Sequence, residues 1–278
     1  MTMNRTQRRQ AGKDLQARLK DEAFAGAVDL AEIAQGPKKV SLAYLVDQYV
    51  TAEFLRSVLA VGSRSTQFGF VVRSLDVEVS VERPKARNML LKNFLEGSDD
   101  YLLFVETDIA FAPQDVAMLI AADAPIAGAL YFTAATGAES WPTAWVKQGE
   151  TEGDGTANPA TDYVPVQLPT PPEDLLPTYE VTEDMSAEDK AEADRRQQAM
   201  ESWLAVLSLP IPVAGVGFGL ALIRRDAAQQ VADAYEWPFE AVQDQREDLT
   251  FCLRSAQLDL QTVVVPAARV GHVRSRML

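Results

Sequence analysis

The chain has 278 residues, with 26 Lys+Arg against 40 Asp+Glu, a net charge of -14, one cysteine and one histidine. A lone Cys252 excludes an intrachain disulfide and a cysteine-built zinc cage, and a lone His272 excludes sites that need two imidazoles. No apolar run reaches the roughly 18–20 residues that span a bilayer, and Met1 to Lys20 lacks a signal peptide's apolar centre, so the expectation is a cytoplasmic chain with no membrane insertion.

The first 36 residues read as a helical or flexible arm. Arg5, Arg8, Arg9, Lys13, Arg18 and Lys20 face only Asp14 there, and Leu15, Leu19, Phe24 and Val28 form a weak apolar stripe. From Lys39 onward apolar runs alternate with helical patterns, which predicts a mostly parallel sheet flanked by helices, one domain over 37–278. Val40–Val46 reads as a first buried strand; Thr51 caps a helix through Leu59 that stops at Gly62; Phe68–Arg73 is a second strand. Pro84 opens a helix carrying Met89, Leu90, Phe94 and Leu95, with Gly97 as its stop. Tyr101–Val105 is a short apolar strand whose carboxyl end runs into Glu106-Thr107-Asp108. Pro113–Ala122 gives a helix, Ile126–Phe132 a strand, and Trp141–Val146 one more.

Residues 149–209 form an insertion. Between Gly149 and Glu201 stand 14 acidic residues against Lys190, Arg195 and Arg196, together with six prolines from Pro159 to Pro177, so most of the net charge belongs to one long excursion. Only its end reads as ordered, from a capping box at Ser186 into a helix carrying Met200, Trp203, Leu204 and Leu207. Beyond it, Val213–Arg224 reads as a Gly-punctuated strand, Asp226 as the cap of a helix to Tyr235, Asp248–Leu258 as a helix, and Thr262–Val265 as a last strand before Gly271-His272.

Ligands of open α/β sheets bind at the carboxyl ends of strands, where Glu106 and Asp108 fall. Two carboxylates two residues apart suit Mg²⁺ or Mn²⁺, hard ions that take oxygen ligands and substrate phosphates; the same spacing also suits solvated loop charges. Glu247 and Asp248 precede an apolar helical run, where acids complement the helix dipole without any catalytic purpose. His272 alone reads as an ordinary hydrogen-bonded histidine, although imidazole suits Mn²⁺. Arg87-Asn88 lies early in a helix, with a guanidinium fork suited to phosphate. Gly215-Val-Gly-Phe-Gly219 fails the dinucleotide spacing because Leu220 stands where a glycine is needed, and close backbone approach is the better use of these glycines.

In order, Arg87-Asn88, Tyr101-Leu-Leu-Phe-Val-Glu-Thr-Asp108, Pro125 to Tyr131, Val216 to Arg225, and Glu247-Asp248 followed by Val270-Gly-His272 resemble the nucleotide-sugar-dependent glycosyltransferases of GT-A type, family-2-like in motif order. The resemblance spans Lys39 to Val273 apart from the excursion. It implies a single Rossmann-type α/β/α sandwich and a hexosyl- or pentosyltransferase. Glu106-Thr107-Asp108 would be the D-x-D-type motif, with Asp108 the main metal ligand, Glu106 a second contact to metal or ribose, and His272 the late ligand of Mn²⁺ or Mg²⁺. Arg87, Asn88 and Asp47 would border the nucleotide, with a UDP-sugar the favoured donor; Asp248, or Glu247 as second choice, would serve as base toward a hydroxyl acceptor if the reaction inverts, and the two carboxylates would position the acceptor if it retains.

The acceptor is open between protein, small molecule and a modified DNA base, since some enzymes of this kind are encoded by bacterial viruses; the expected setting is the cytoplasm of a bacterium or of an infected host. DNA would need the basic termini and would keep the acidic excursion away from the duplex. The rival class is a non-catalytic binding or scaffold protein of the same fold. A nucleotidyltransferase would carry a Gly-rich basic loop after the first strand, and Leu45 to Val50 has none.

Overall fold

The computed structural model describes residues 36–46, 49–79, 82–134, 140–147, 163–167, 186–242 and 245–273. The expected N-terminal arm up to residue 35, Asp47, Gln48 and most of the acidic excursion lie outside them. In chain order the first half contains β1 (Lys38–Val46), α1 (Ala52–Arg64), β2 (Phe70–Val79), α2 (Arg83–Glu96), β3 (Tyr101–Glu106), β4 (Ile109–Ala110), α3 (Pro113–Ala121), β5 (Ile126–Leu130) and β6 (Phe132–Ala134). There follow β7 (Ser140–Pro142), β8 (Ala144–Lys147), β9 (Tyr163–Pro165), α4 (Ala187–Ser208), β10 (Ile211–Val213), β11 (Gly215–Val216), β12 (Leu220–Arg224), α5 (Arg225–Ala234), α6 (Glu247–Ala256), β13 (Thr262–Arg269) and β14 (Gly271–His272).

Seven strands form the central sheet in the order β2-β1-β3-β12-β5-β13-β10. Strand β1 pairs in parallel with both β2 and β3, and β5 with β13, whereas β12 is antiparallel to both its neighbours and β10 is antiparallel on the far edge. Five of the seven strands therefore run the same way, the mostly parallel sheet that the alternating pattern predicts. The inner strands read as continuous apolar runs because both faces are covered. Phe54 and Val61 of α1 and Val116 and Leu119 of α3 pack on one face with Leu42, Leu103 and Val105. Leu90 and Phe94 of α2, Val231 of α5 and Phe251 of α6 pack on the other with Leu102, Phe104 and Ile223. The result is a helix–sheet–helix sandwich.

Thr51 caps α1 as expected, its hydroxyl accepting from Phe54 N, but the helix continues through Gly62 to Arg64. Asp226 is not a cap: Arg224 takes that position, and the Asp226 carboxylate sits in the first turn, paired with the Arg224 guanidinium at 2.6 Å. The strand expected over Val213–Arg224 is broken into β10, β11 and β12, and the one expected over Trp141–Val146 into β7 and β8. Part of the excursion is ordered against expectation, since Tyr163–Pro165 pairs with β8 in a small sheet that also contains β11.

Candidate functional site

Strand β3 delivers its apolar residues to the core and Glu106 to its carboxyl end. The turn that follows is held from two sides. Thr51, at the start of α1, donates both its backbone N–H and its hydroxyl to the Thr107 carbonyl, each at 3.0 Å. On the other side β4 pairs with β14, placing Ile109 opposite His272 and Ala110 opposite Gly271, and Val273 N donates to the Asp108 carbonyl at 2.7 Å. A two-residue ladder therefore carries the histidine to the carboxylate. His272 Nε2 lies 2.9 Å from Asp108 Oδ2 although the two are 164 positions apart. That hydrogen bond raises the imidazole above its usual value against the opposing effect of burial. The Tyr131 and His272 rings meet edge to face, their centroids 6.0 Å apart.

Two ligands about 2.1 Å from an octahedral ion stand about 3 Å apart, so an oxygen and a nitrogen at 2.9 Å match one edge of such a shell. Among the described residues no group of three or more His, Cys, Asp and Glu side chains gathers to complete one. The remaining positions fall to water and substrate oxygens, the usual arrangement for Mg²⁺ at phosphate sites.

Glu106 faces the other way. Its Oε1 accepts from Arg83 Nη1 at 2.9 Å and Arg87 Nη2 at 3.4 Å. Arg87 Nη2 also stands 3.7 Å from Glu247 Oε1, so one guanidinium joins the end of β3 to the start of α6. The Arg87 side chain is 1 % exposed, and its charge lies over the rings of Phe104 and Phe218 at 5.7 and 5.1 Å. Asn88 is engaged at both ends of its amide by backbone, donating to the Pro84 carbonyl and accepting from Phe239 N.

Asp248 is buried in the first turn of α6, where Oδ1 accepts from Leu249 N and Oδ2 stands 3.7 Å from Arg246 without a hydrogen bond. The structure thus brings Asp108 to His272, and Glu106 and Glu247 each to the Arg87 guanidinium, while Asp47 lies outside the described residues.

A cavity of about 240 Å³ opens beside the turn, lined in part by Leu45, Tyr49, Arg83, Arg87, Glu106 and Asp108. Arg83, Tyr131 and Phe218 are the residues that sequence reasoning missed. The four-residue step from Arg83 to Arg87 on one helical face was the signal for the first; nothing in the sequence marked the others.

No protein-family model matches the chain, and no curated protein matches it. Among solved structures, A197 from STIV is similar at 12% identity and a TM-score of 0.43, over 87% of this chain and 96% of that one. GalNAc-T7, solved with UDP, GalNAc and Mn²⁺, is similar at 14% identity and a TM-score of 0.46, over 86% of this chain; the match spans 44% of that transferase. Both scores fall below 0.5. No described helix is long and apolar enough to cross a membrane.

Proposed function

We propose that the chain is a metal-dependent glycosyltransferase that moves a sugar from a nucleoside-diphosphate sugar, a UDP-sugar in the favoured case, to a hydroxyl acceptor. The observation that carries this reading is the 2.9 Å approach of His272 to Asp108 at the carboxyl end of β3, where Asp108 lines a cavity of about 240 Å³. Asp108 and His272 would hold Mn²⁺ or Mg²⁺, which supplies Lewis-acid stabilisation of the departing diphosphate.

The chain's own residues do the rest. Leu45 and Tyr49 offer apolar and aromatic surface to a base, and Arg83 and Arg87 put positive charge on the same wall. Glu247 and Asp248 stand at the helix end nearest Arg87, and Asp248 is the candidate to take the acceptor proton. Its carboxylate is buried, so it acts only in a conformer that turns this corner of α6 toward the cavity. The helix that ends the insertion would border the acceptor groove, and the acceptor would be a protein, a small molecule or a modified DNA base; transfer to DNA would fall steeply with added salt.

The burial of Asp248 favours a second reading, a binding module of the same fold that does not turn over. The test is Mn²⁺-dependent hydrolysis and transfer with a panel of UDP- and GDP-sugars. Turnover that disappears in Asp108→Asn and His272→Ala supports the enzyme. Donor binding without turnover supports the module, and absence of both sinks the two readings together.

A further inference from the structure

Four side chains form a line of alternating charge from the interior to the cavity mouth. Glu247 pairs with Arg87, Arg87 with Glu106, and Glu106 with Arg83, at 3.7, 3.4 and 2.9 Å. Arg87 and Glu247 are the inner members, 1 % and 9 % exposed, and exposure then rises to 19 % at Glu106 and 46 % at Arg83. The line crosses from α6 to α2 to β3 and back to α2, so it ties three elements to one point on the cavity wall.

From this we infer that Arg83 binds the phosphates of the donor, and that Glu247, Arg87 and Glu106 are positioning residues that hold its guanidinium at the mouth. The inference rests on the glycosyl-transfer reading of the same site. Arg83 and Asp108 line one cavity, so an anion that reaches the carboxylate's cation also reaches the guanidinium. An exposed arginine loses rotamer freedom when it grips a ligand; Glu106 has already fixed one Nη of Arg83, which lowers that cost. Guanidinium offers a planar fork that a phosphate accepts in bidentate fashion. The four charges sum to zero, so the attraction is local: Glu106 divides its single charge between two guanidinium groups, and Arg83 is the member exposed at the mouth. The same sharing gives the glutamate at 106 a use of its own: it serves the two arginines.

The experiment is calorimetric titration of UDP, with GDP and uridine in parallel, at saturating Mn²⁺. Arg83→Ala should weaken UDP or GDP by about 10- to 100-fold, the value of a charge-assisted hydrogen bond, and leave uridine unchanged. Arg83→Lys should recover only part of the loss. Glu106→Gln should weaken the diphosphate in the native background and add little in the Arg83→Ala background, the coupling that a positioning role requires and a merely structural one does not produce. Thermal unfolding of each variant checks folding.

Diphosphate binding within twofold of the native chain in Arg83→Ala, or an equal loss of uridine, overturns the inference. If Asp108→Asn then still abolishes Mn²⁺-dependent UDP binding, the functional reading survives that result. A native chain that binds neither UDP nor GDP with Mn²⁺ overturns both.

Discussion

Gly219 donates its backbone N–H to the phenol oxygen of Tyr131 at 3.1 Å, so near the ring that a Cβ at Gly219 would lie 2.5 Å from Tyr131 Cζ. The same ring meets His272 edge to face, and Glu106 N donates to the Gly219 carbonyl at 3.0 Å. One aromatic side chain thus accounts for Gly217 and Gly219 in the run from Val213 to Arg224, while Gly215 makes room for Leu249 and Cys252 of α6.

The Gly219→Ala variant should lose about 1–3 kcal/mol of stability, since the buried ring has no room to withdraw. Tyr131→Phe should cost about 1–2 kcal/mol by stranding the Gly219 N–H. Urea denaturation measures both, and native-like midpoints would contradict this packing.

Arg87 is a buried cation between two carboxylates. Replacing it with Met leaves Glu106 and Glu247 without their shared partner and should destabilise the chain by about 3–5 kcal/mol. Adding Glu247→Gln to that variant should restore part of the loss. A double-mutant cycle with no coupling would show that the 3.7 Å pair carries no energy.

The Asp108–His272 contact fixes the sign of a pH effect in chelator-treated protein. The folded imidazole titrates above its ordinary 6.5, so the pair's contribution is complete below about pH 6.5 and disappears as pH rises through the raised value. Asp108 is 40 % exposed, which limits the effect to less than about 1 kcal/mol. The native chain should lose midpoint stability relative to His272→Gln between pH 6 and 9; parallel curves would rule the contact out in solution.

Burial pushes the Cys252 thiol from 9.0 to about 12 and the Tyr131 phenol above its ordinary 10.0. Both are acids whose folded values exceed the unfolded ones. Stability is therefore unaffected below about pH 9 and declines as pH climbs toward 12, because the unfolded chain ionises first. At pH 8 Cys252 should resist thiol reagents until the chain unfolds, and rapid labelling of native protein would contradict its burial.

Much of the frame was legible because local rules decide it. Thr51, Pro84 and Gly97 mark helix ends whatever the tertiary setting, and the apolar run into Glu106 marks a buried strand ending at a ligand edge. Strand β2 runs six residues beyond the expected Arg73; the alternation from Ser74 to Val79 held that information as an edge-strand pattern. The antiparallel direction of β12 was not legible, since a sequence does not say which neighbour a strand chooses.

At the site, the sequence named Asp108 and His272, and the fold brings them into contact. It could not say that Arg87 lies beneath Glu106 or that Asp248 faces inward, because burial of a charge depends on partners from distant elements.

The ladder between β4 and β14 makes the imidazole–carboxylate contact a report on completed assembly. Synthesis yields residue 108 long before residue 272, and only after β13 has docked beside β5 does the chain's late segment return to the first-made half. A nascent polypeptide with every earlier strand in place would still lack the pair, so any property that depends on this contact waits for the late segment to return.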